Sequence, residues 1–303
     1  MPIEIPNNLT DCLYWIKERT ERYWSLIEDE DDAHYWAKDA KWEGLTDEEI
    51  DQLEIKYGIE FSNDHRLFLK ILHHINRKEV MYRDDEVEGE IVKCEYYFFF
   101  NWKKDEEEIR FRMNWPADTI FSDVKGQNQV WLKSWGKIHP KSNERKKEIF
   151  DAWFAQLPPL IPINGHRFVV GGPLASVSPV LSVYGSDIIV YGWNIAHYLI
   201  NELGPHLNLG VHTFDEEDNY WYFEDLPEVL EYKIKEYKKG APIEIPVIEE
   251  MILYWSSGWR SYGKERPKEE QGTIQPILKT FIAEDEEGEE DNPQKTFTPY
   301  SSQ

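Results

Sequence analysis

The chain has 303 residues with 58 acidic against 34 basic side chains, a formal charge of −24. A surface of that sign repels nucleic acid and anionic membrane and suits a basic protein partner. Only two cysteines occur, Cys12 and Cys94, which argues against a disulfide framework or a zinc module and fits a reducing cytoplasm. No run approaches about 18 uninterrupted apolar residues, and the opening "MPIEIPNNLTDC" lacks a basic stretch leading into an apolar one. Neither a spanning helix nor an export signal is therefore expected.

In chain order, Leu13, Ile16, Tyr23, Trp24 and Ile27 recur at roughly helical spacing, and "EDEDD" at 28–32 interrupts them as a solvated loop. Thr46, with Glu49 three residues on, forms a capping box for a helix whose Ile50, Leu53 and Tyr57 share a face, and Gly58 is its stop. "SNDHRLFLKILHHINRK" reads as a second helix, with Leu67, Phe68, Ile71, Leu72 and Ile75 as its buried stripe. "EIVKCEYYFFFNW" and "EIRFRMNW" read as two strands of an antiparallel hairpin closed by the charged turn "KKDEEE". Residues 118–135 carry no clear pattern, and 144–156 read as a helix.

"LIPI", "HRFVVGG", "SPVLSVYG" and "DIIVYG" follow as short β-rich segments punctuated by Gly and Pro. Asn194 caps a further helix with Ile195, Tyr198, Leu199 and Leu203 on one face. "LPEVLEYKIKEYKKG" and "PVIEEMILYWSSGW" each suggest a helix packed on the body. From Ala283 the text is acidic and poor in apolar residues, which predicts disorder. That tail holds seven acids and one lysine, so about −18 remains on the residues before it. The order of elements favours α+β over alternating βαβ units.

Chemistry-bearing patterns are few. No Gly-x-Ser-x-Gly elbow, Walker lysine, Gly-x-Gly-x-x-Gly, His-Glu-x-x-His or calcium loop occurs. His73 and His74, as helix neighbours, would point about 100° apart and could not chelate one ion. His206 and His212 lack a carboxylate ligand pattern. No metal or cofactor is expected. What remains is "LPPLIPINGHRFVV", where Gly165, His166 and Arg167 form a turn: Gly165 can take a positive φ, and Arg167 can reach a carboxylate such as Asp187. A structural turn is the stronger reading; the alternative is a hydrolase using His166, Arg167 and an acid.

Two regions together resemble a known family. "GLTDEEIDQLEIKYGIEFSNDHRLFLKI" is similar to the opening of SMI1/KNR4 domains, the SUKH superfamily, through Leu45, Thr46, Ile50, Leu53, Glu54, Gly58, Ile59, Phe68 and Leu69. "LPPLIPINGHRFV…SPVLSVYGSDIIVYGWNIAHYLINEL" resembles the later part of longer bacterial members. Phe61-Ser62 stands where the family usually has Leu-Pro, "HHINRK" where it often has Gly-Gly, and Ser178 where Asn is usual. The resemblance spans residues 44–204. It implies an α+β domain with a mixed or antiparallel sheet flanked by helices, preceded by a helical extension at 1–43 and followed by a packed extension at 205–282 and the acidic tail at 283–303.

The function it implies is non-catalytic protein binding, as in bacterial immunity proteins that neutralise toxins, often nucleases or deaminases. The alternative within the family is a cytoplasmic regulatory scaffold. Candidate contacts for a basic toxin are Asp84, Asp85 and Glu86 in "YRDDEVEGE", with Trp131 and Trp135 as possible anchors; rings at the density of 13 tryptophans usually fill a core, and core packing is the alternative for each of the two.

Overall fold

The computed structural model describes residues 3–28, 34–84, 91–172, 178–215, 220–240 and 243–255. The expectations placed on Asp85, Glu86, most of the 28–32 break and the 283–303 tail lie outside these residues. Helix α1 (Leu9–Trp24) starts at Asn8, whose side chain accepts the Asp11 amide, and turns Cys12, Leu13, Ile16, Thr20 and Trp24 inward. Strand β1 (Trp42–Glu43) precedes helix α2 (Asp47–Tyr57), where the capping box is complete in both directions. Helix α3 (Asn63–Leu72) is capped by the Ser62 hydroxyl. It stops at Leu72 instead of running to Lys78, because His74 and Ile75 leave it as strand β2 (His74–Ile75) to pair antiparallel with β1.

The hairpin expected from 90–115 is drawn differently. Strand β4 (Ile91–Tyr97) pairs with strand β3 (Lys78–Asp84), which lies before it in the chain. The second expected strand lies inside helix α4 (Glu106–Lys125). "KKDEEE" is thus the approach to a helix. Glu106, Glu107 and Glu108 sit in its first turn, where the helix dipole favours anions, and ion pairs at i,i+4 join Glu106 to Arg110 and Glu108 to Arg112. Pro116 interrupts the amide ladder inside this helix and is itself buried. Helix α5 (Asn143–Phe154) follows, with Ser142 as its cap.

The β-rich run forms one four-stranded antiparallel meander: β5 (Leu160–Asn164), β6 (Arg167–Val170), β7 (Val180–Tyr184) and β8 (Asp187–Gly192), in that spatial order. Both of its faces are buried. Ile161, Ile163, Val169 and Val180 look into one core with α1, α3 and helix α6 (Ile195–Glu202). Phe168, Val170, Leu181, Val183, Ile188 and Val190 look into a second core with α4 and α5. Period-two alternation produces this split, for example Phe168 and Val170 on one face and Val169 on the other. The chain continues through a hairpin of β9 (Gly210–Asp215) and β10 (Tyr220–Asp225) into helix α7 (Pro227–Gly240) and helix α8 (Glu249–Tyr254). Met251 and Ile252 of α8 join the second core, and Val229 of α7 joins the first. The architecture is α+β.

The first core holds an unusual number of neutral histidines. His65 on α3 has no exposed surface, lies between the rings of Phe61 and Phe68, and neither ring nitrogen has a partner. Burial pulls its pKa down to about 3, and does the same to His73 and His206. A histidine depressed in the folded state contributes stability that is whole above about pH 6.5 and lost as pH falls toward the folded pKa. His65→Leu should therefore raise stability at every pH, by about 1–3 kcal/mol for the removed orphan group. The gain should be about 2 kcal/mol larger at pH 5 than at pH 7.5. Urea unfolding at the two pH values measures both; an equal gain at each would show that His65 titrates in the folded state as it does in the unfolded one.

Candidate functional site

The sharpest concentration of polar and aromatic side chains lies around the Asn164–Arg167 turn. Gly165 takes φ +49° there, and the backbone carbonyl of His166 accepts the Val183 amide at 2.9 Å, tying the turn to β7. The expected positive φ is present. The expected Arg167–Asp187 pair is not, because Asp187 begins β8 opposite Tyr184 and is exposed. The guanidinium turns inward instead. It donates through Nη1 to Ser182 Oγ at 2.8 Å and to His166 Nε2, lies 4.0 Å over the Tyr191 ring, and places Nε 3.5 Å from Glu202 Oε2. Because Arg167 can only donate, the His166 proton sits on Nδ1. Burial, then the charges of Arg167 and Arg112, pull the His166 pKa down to about 4, so the imidazole is neutral at pH 7.

Glu202, the last residue of α6, also accepts Asn164 Nδ2 at 2.9 Å. Burial pushes its carboxyl up, and Arg167 opposes that. Tyr198, one turn earlier, is fully buried and its phenol is raised well above its ordinary value by burial and then by Glu202. The turn is therefore pinned to α6 through a charged group that has little access to water.

Outside this buried network runs an exposed aromatic ridge. Phe111 and Trp115, one turn apart on α4, have centroids 5.7 Å apart; Tyr184 at the end of β7 lies 6.4 Å from Trp115 and 5.9 Å from His166. Arg112 stacks on both α4 rings, at 5.5 Å and 4.9 Å. Phe111 is 52% exposed and Tyr184 67%. Their placement is rigid. Trp115 Nε1 donates to the Val183 carbonyl at 3.2 Å, and Asp123 Oδ2 accepts both the amide and hydroxyl of Ser186, at 2.6 and 2.7 Å. Between Tyr184 and Ser186 the chain needs glycine: Gly185 has φ +62°, and a Cβ there would meet Asp123 Oδ2 at 2.3 Å. Exposed Glu107, Glu108, Asp118 and Asp187 rim the ridge.

On the other side of Gly165, between the β3–β4 hairpin and the first turns of α4, opens a cleft of about 470 Å³. Arg112 and Gly165 border both it and the ridge.

The other expected contacts lie elsewhere. Asp84 ends β3 opposite Ile91. Trp135 is only 8% exposed and packs on Phe150 and Trp153 in the second core. Trp131 is half-buried against Trp135 and donates to the Gly136 carbonyl at 3.0 Å. Trp135 belongs to the core and Trp131 packs beside it, while Phe111 and Trp115, expected on a strand, lie on the face of α4 next to Tyr184.

His73 and His74 also differ from expectation. They are not helix neighbours pointing apart, because their Nδ1 atoms approach to 3.1 Å. The Trp102 amide donates to His73 Nε2, so His73 Nδ1 carries the proton and donates to His74 Nδ1, which leaves the His74 Nε2 proton for Glu43 at 3.2 Å. This chain of neutral imidazoles is a structural tie between α3, β1 and the Trp102 loop. His206 accepts Trp24 Nε1 at 3.0 Å, and His212 lies on β9 against Phe223. Among the described residues, no group of three or more His, Cys, Asp or Glu side chains is placed to hold a metal ion, and no helix is long and apolar enough to cross a membrane.

No family model, curated protein or solved structure matches this chain.

The buried pair separates structural from surface acids in a simple series. Glu202→Ala should cost about 3–5 kcal/mol, because it strands a buried guanidinium. Asp187→Ala should stay within about 0.5 kcal/mol. His166→Ala should cost about 1 kcal/mol, by removing the acceptor for Arg167. Denaturant midpoints decide it: a large loss for Asp187→Ala with none for Glu202→Ala would reverse the assignment of the arginine's partner.

Proposed function

We propose that this chain is a non-catalytic protein-binding domain of SUKH type, acting in the cytoplasm as an immunity protein that covers a basic, nucleic-acid-targeting toxin. The observation that carries the reading is the ridge of exposed Phe111 and Tyr184 flanking half-buried Arg112 and Trp115, tied to β7 by the Trp115 hydrogen bond, on a chain of charge −24. Tryptophan, tyrosine and arginine are the side chains that most often dominate binding energy at protein interfaces, and a rim of opposite charge accelerates and orients the encounter. The ridge would supply the anchor, the acids the steering, and occlusion of the toxin's substrate face the neutralisation. The Leu-Thr capping helix, the Gly-His-Arg turn and the α+β arrangement support the family reading. His166 is then architecture: its imidazole is committed to Arg167 and to the edge of Tyr184.

The test begins with a pull-down from the native host at low and moderate salt and uses the basic protein it recovers; recovery of none would count against the reading. Phe111→Ala and Tyr184→Ala, both at exposed positions, should each weaken the complex about ten-fold or more, equivalent to at least about 1.4 kcal/mol, without lowering the unfolding midpoint. Protection of growth in co-expression should fall in parallel, and the association rate should drop as salt rises. Wild-type affinity and full protection in both variants would remove the ridge from the interface.

A further inference from the structure

The cleft beside the ridge is lined on one side by aromatic residues, of which Tyr97 turns its ring face to the Lys78 ammonium, and on the other by carboxylates. Tyr96, Tyr97 and Phe100 come from β4 and the residues after it; Asp105 and Glu108 come from the start of α4. We propose that this cleft is a subsite for one arginine side chain of the basic partner, its guanidinium stacked on the aromatic wall and hydrogen-bonded to Asp105. The inference rests on the protein-binding reading above and names the chemistry that the site takes.

Three observations point to a cation. First, the aromatic wall already holds one: Lys78, directly opposite Tyr97 in the β3–β4 register, places its ammonium 5.3 Å from the Tyr97 ring centroid. A ring face that attracts an exposed lysine attracts a guanidinium more strongly, since the planar, weakly hydrated group also stacks. Second, the opposite wall has a carboxylate with no directly paired cation, which feels Lys78 and Lys104 only at longer range. Glu108 is neutralised by Arg112 at 2.7 Å, whereas Asp105 forms no ion pair among the described residues and accepts only the Asn101 amide, at 2.8 Å through Oδ2. Burial pushes the Asp105 carboxyl up, and the Asn101 amide and Lys78 offset that only in part, so a cation brought beside it is stabilised.

Third, the start of α4 is a poor place for an anion here. Glu106, Glu107 and Glu108 fill its first turn and cancel the positive end of the helix dipole. A cleft of about 470 Å³ lies within the range of specific ligand sites, roughly 300–1,000 Å³, and accommodates an arginine with its flanking backbone. Arg112 borders both cleft and ridge, so the subsite and the anchor would engage adjacent parts of one partner surface.

The probe is the peptide acetyl-Gly-Arg-Gly-amide, titrated calorimetrically into the full chain, against the same peptide with citrulline, which keeps the shape and removes the charge. The arginine peptide should bind saturably and the citrulline peptide at least ten-fold more weakly. Asp105→Asn keeps an acceptor for the Asn101 amide and should weaken arginine binding ten-fold or more; Tyr96→Leu, which keeps the bulk of the wall, should weaken it several-fold. Lys78→Ala vacates the Tyr97 face and should strengthen it several-fold. Equal affinity for the two peptides, an unchanged affinity in Asp105→Asn, or loss of binding in Lys78→Ala would overturn the proposal. The two readings fail separately. A toxin complex sensitive to Phe111→Ala but indifferent to Asp105→Asn, with no peptide binding, sinks the subsite alone; peptide binding with the predicted variant pattern but no toxin complex supports the subsite and sinks the immunity role.

Discussion

A sheet buried on both faces leaves its polar turn residues nowhere to go, and the Arg167–Glu202 pair is how this chain resolves that constraint. β6 begins at Arg167 and its next three residues, Phe168, Val169 and Val170, are committed to the two cores. The guanidinium therefore enters a dry interior, where an unpaired charge would cost several kcal/mol. Ser182 and His166 accept from it, the Tyr191 face covers it and the Glu202 charge lies opposite, from β7, the turn, β8 and α6, while Nε and Glu202 Oε2 face each other at 3.5 Å without a hydrogen bond. One side chain thus joins three neighbouring strands to the helix that follows them. The desolvation of Glu202 is the cost of this arrangement, offset by the guanidinium and the Asn164 amide.

That commitment shapes the surface above it. Since Arg167 and Glu202 face inward, the charge displayed around the turn comes from other elements: Arg112 and the acids of α4, and Asp187 on β8. Asp123 then decides where the end of β7 sits, by accepting two hydrogen bonds from Ser186 across the Gly185 turn. Tyr184 and Trp115 meet because of that contact, not because either ring seeks burial. A rigid aromatic pair loses little conformational entropy when it binds, which is what distinguishes an anchor from an incidental exposed ring.

Much of the fold was legible where local signals agree. The Thr46–Glu49 capping box, the Asn194 cap and the four short β segments after residue 159 all form as their spacing predicts. The differences arise where local signals compete or where a distant partner decides. "EIRFRMNW" alternates polar and apolar residues and is rich in aromatics, which is a strand signal over eight residues. Its i,i+4 Glu–Arg pairs and acidic first turn were the competing helix signal, and they win once Ile109, Ile120 and Val124 are counted on one buried face. "HHINRK" was read as helix because Ile75 continues the stripe of α3, yet pairing with β1 claims it. That choice depends on Trp42, more than thirty residues away, and no local pattern reports it. The partner of Arg167 is equally non-local: Asp187 is nearer in sequence, but α6 brings Glu202 to the guanidinium.

The aromatic surface shows the same dependence on packing. Residue type alone marks Trp135 as a candidate anchor, and the second core buries it. Burial, not identity, sorts the aromatics, and burial depends on which face of α4 the sheet covers. The ridge exists because α4 must present Ile109, Pro116, Ile120 and Val124 inward. On a helix, the face a quarter to a half turn away is then carried to the rim of the contact, where Phe111, Arg112 and Trp115 fall. Their exposure follows from the packing of the buried stripe, and so does their proximity to Gly165, because the turn it makes is held against β7 at the same edge. Display of the ridge and stability of the sheet are consequently linked. Any substitution that lets α4 rotate on the sheet would bury Phe111 and uncover Ile120 together, and would lose the anchor without touching it.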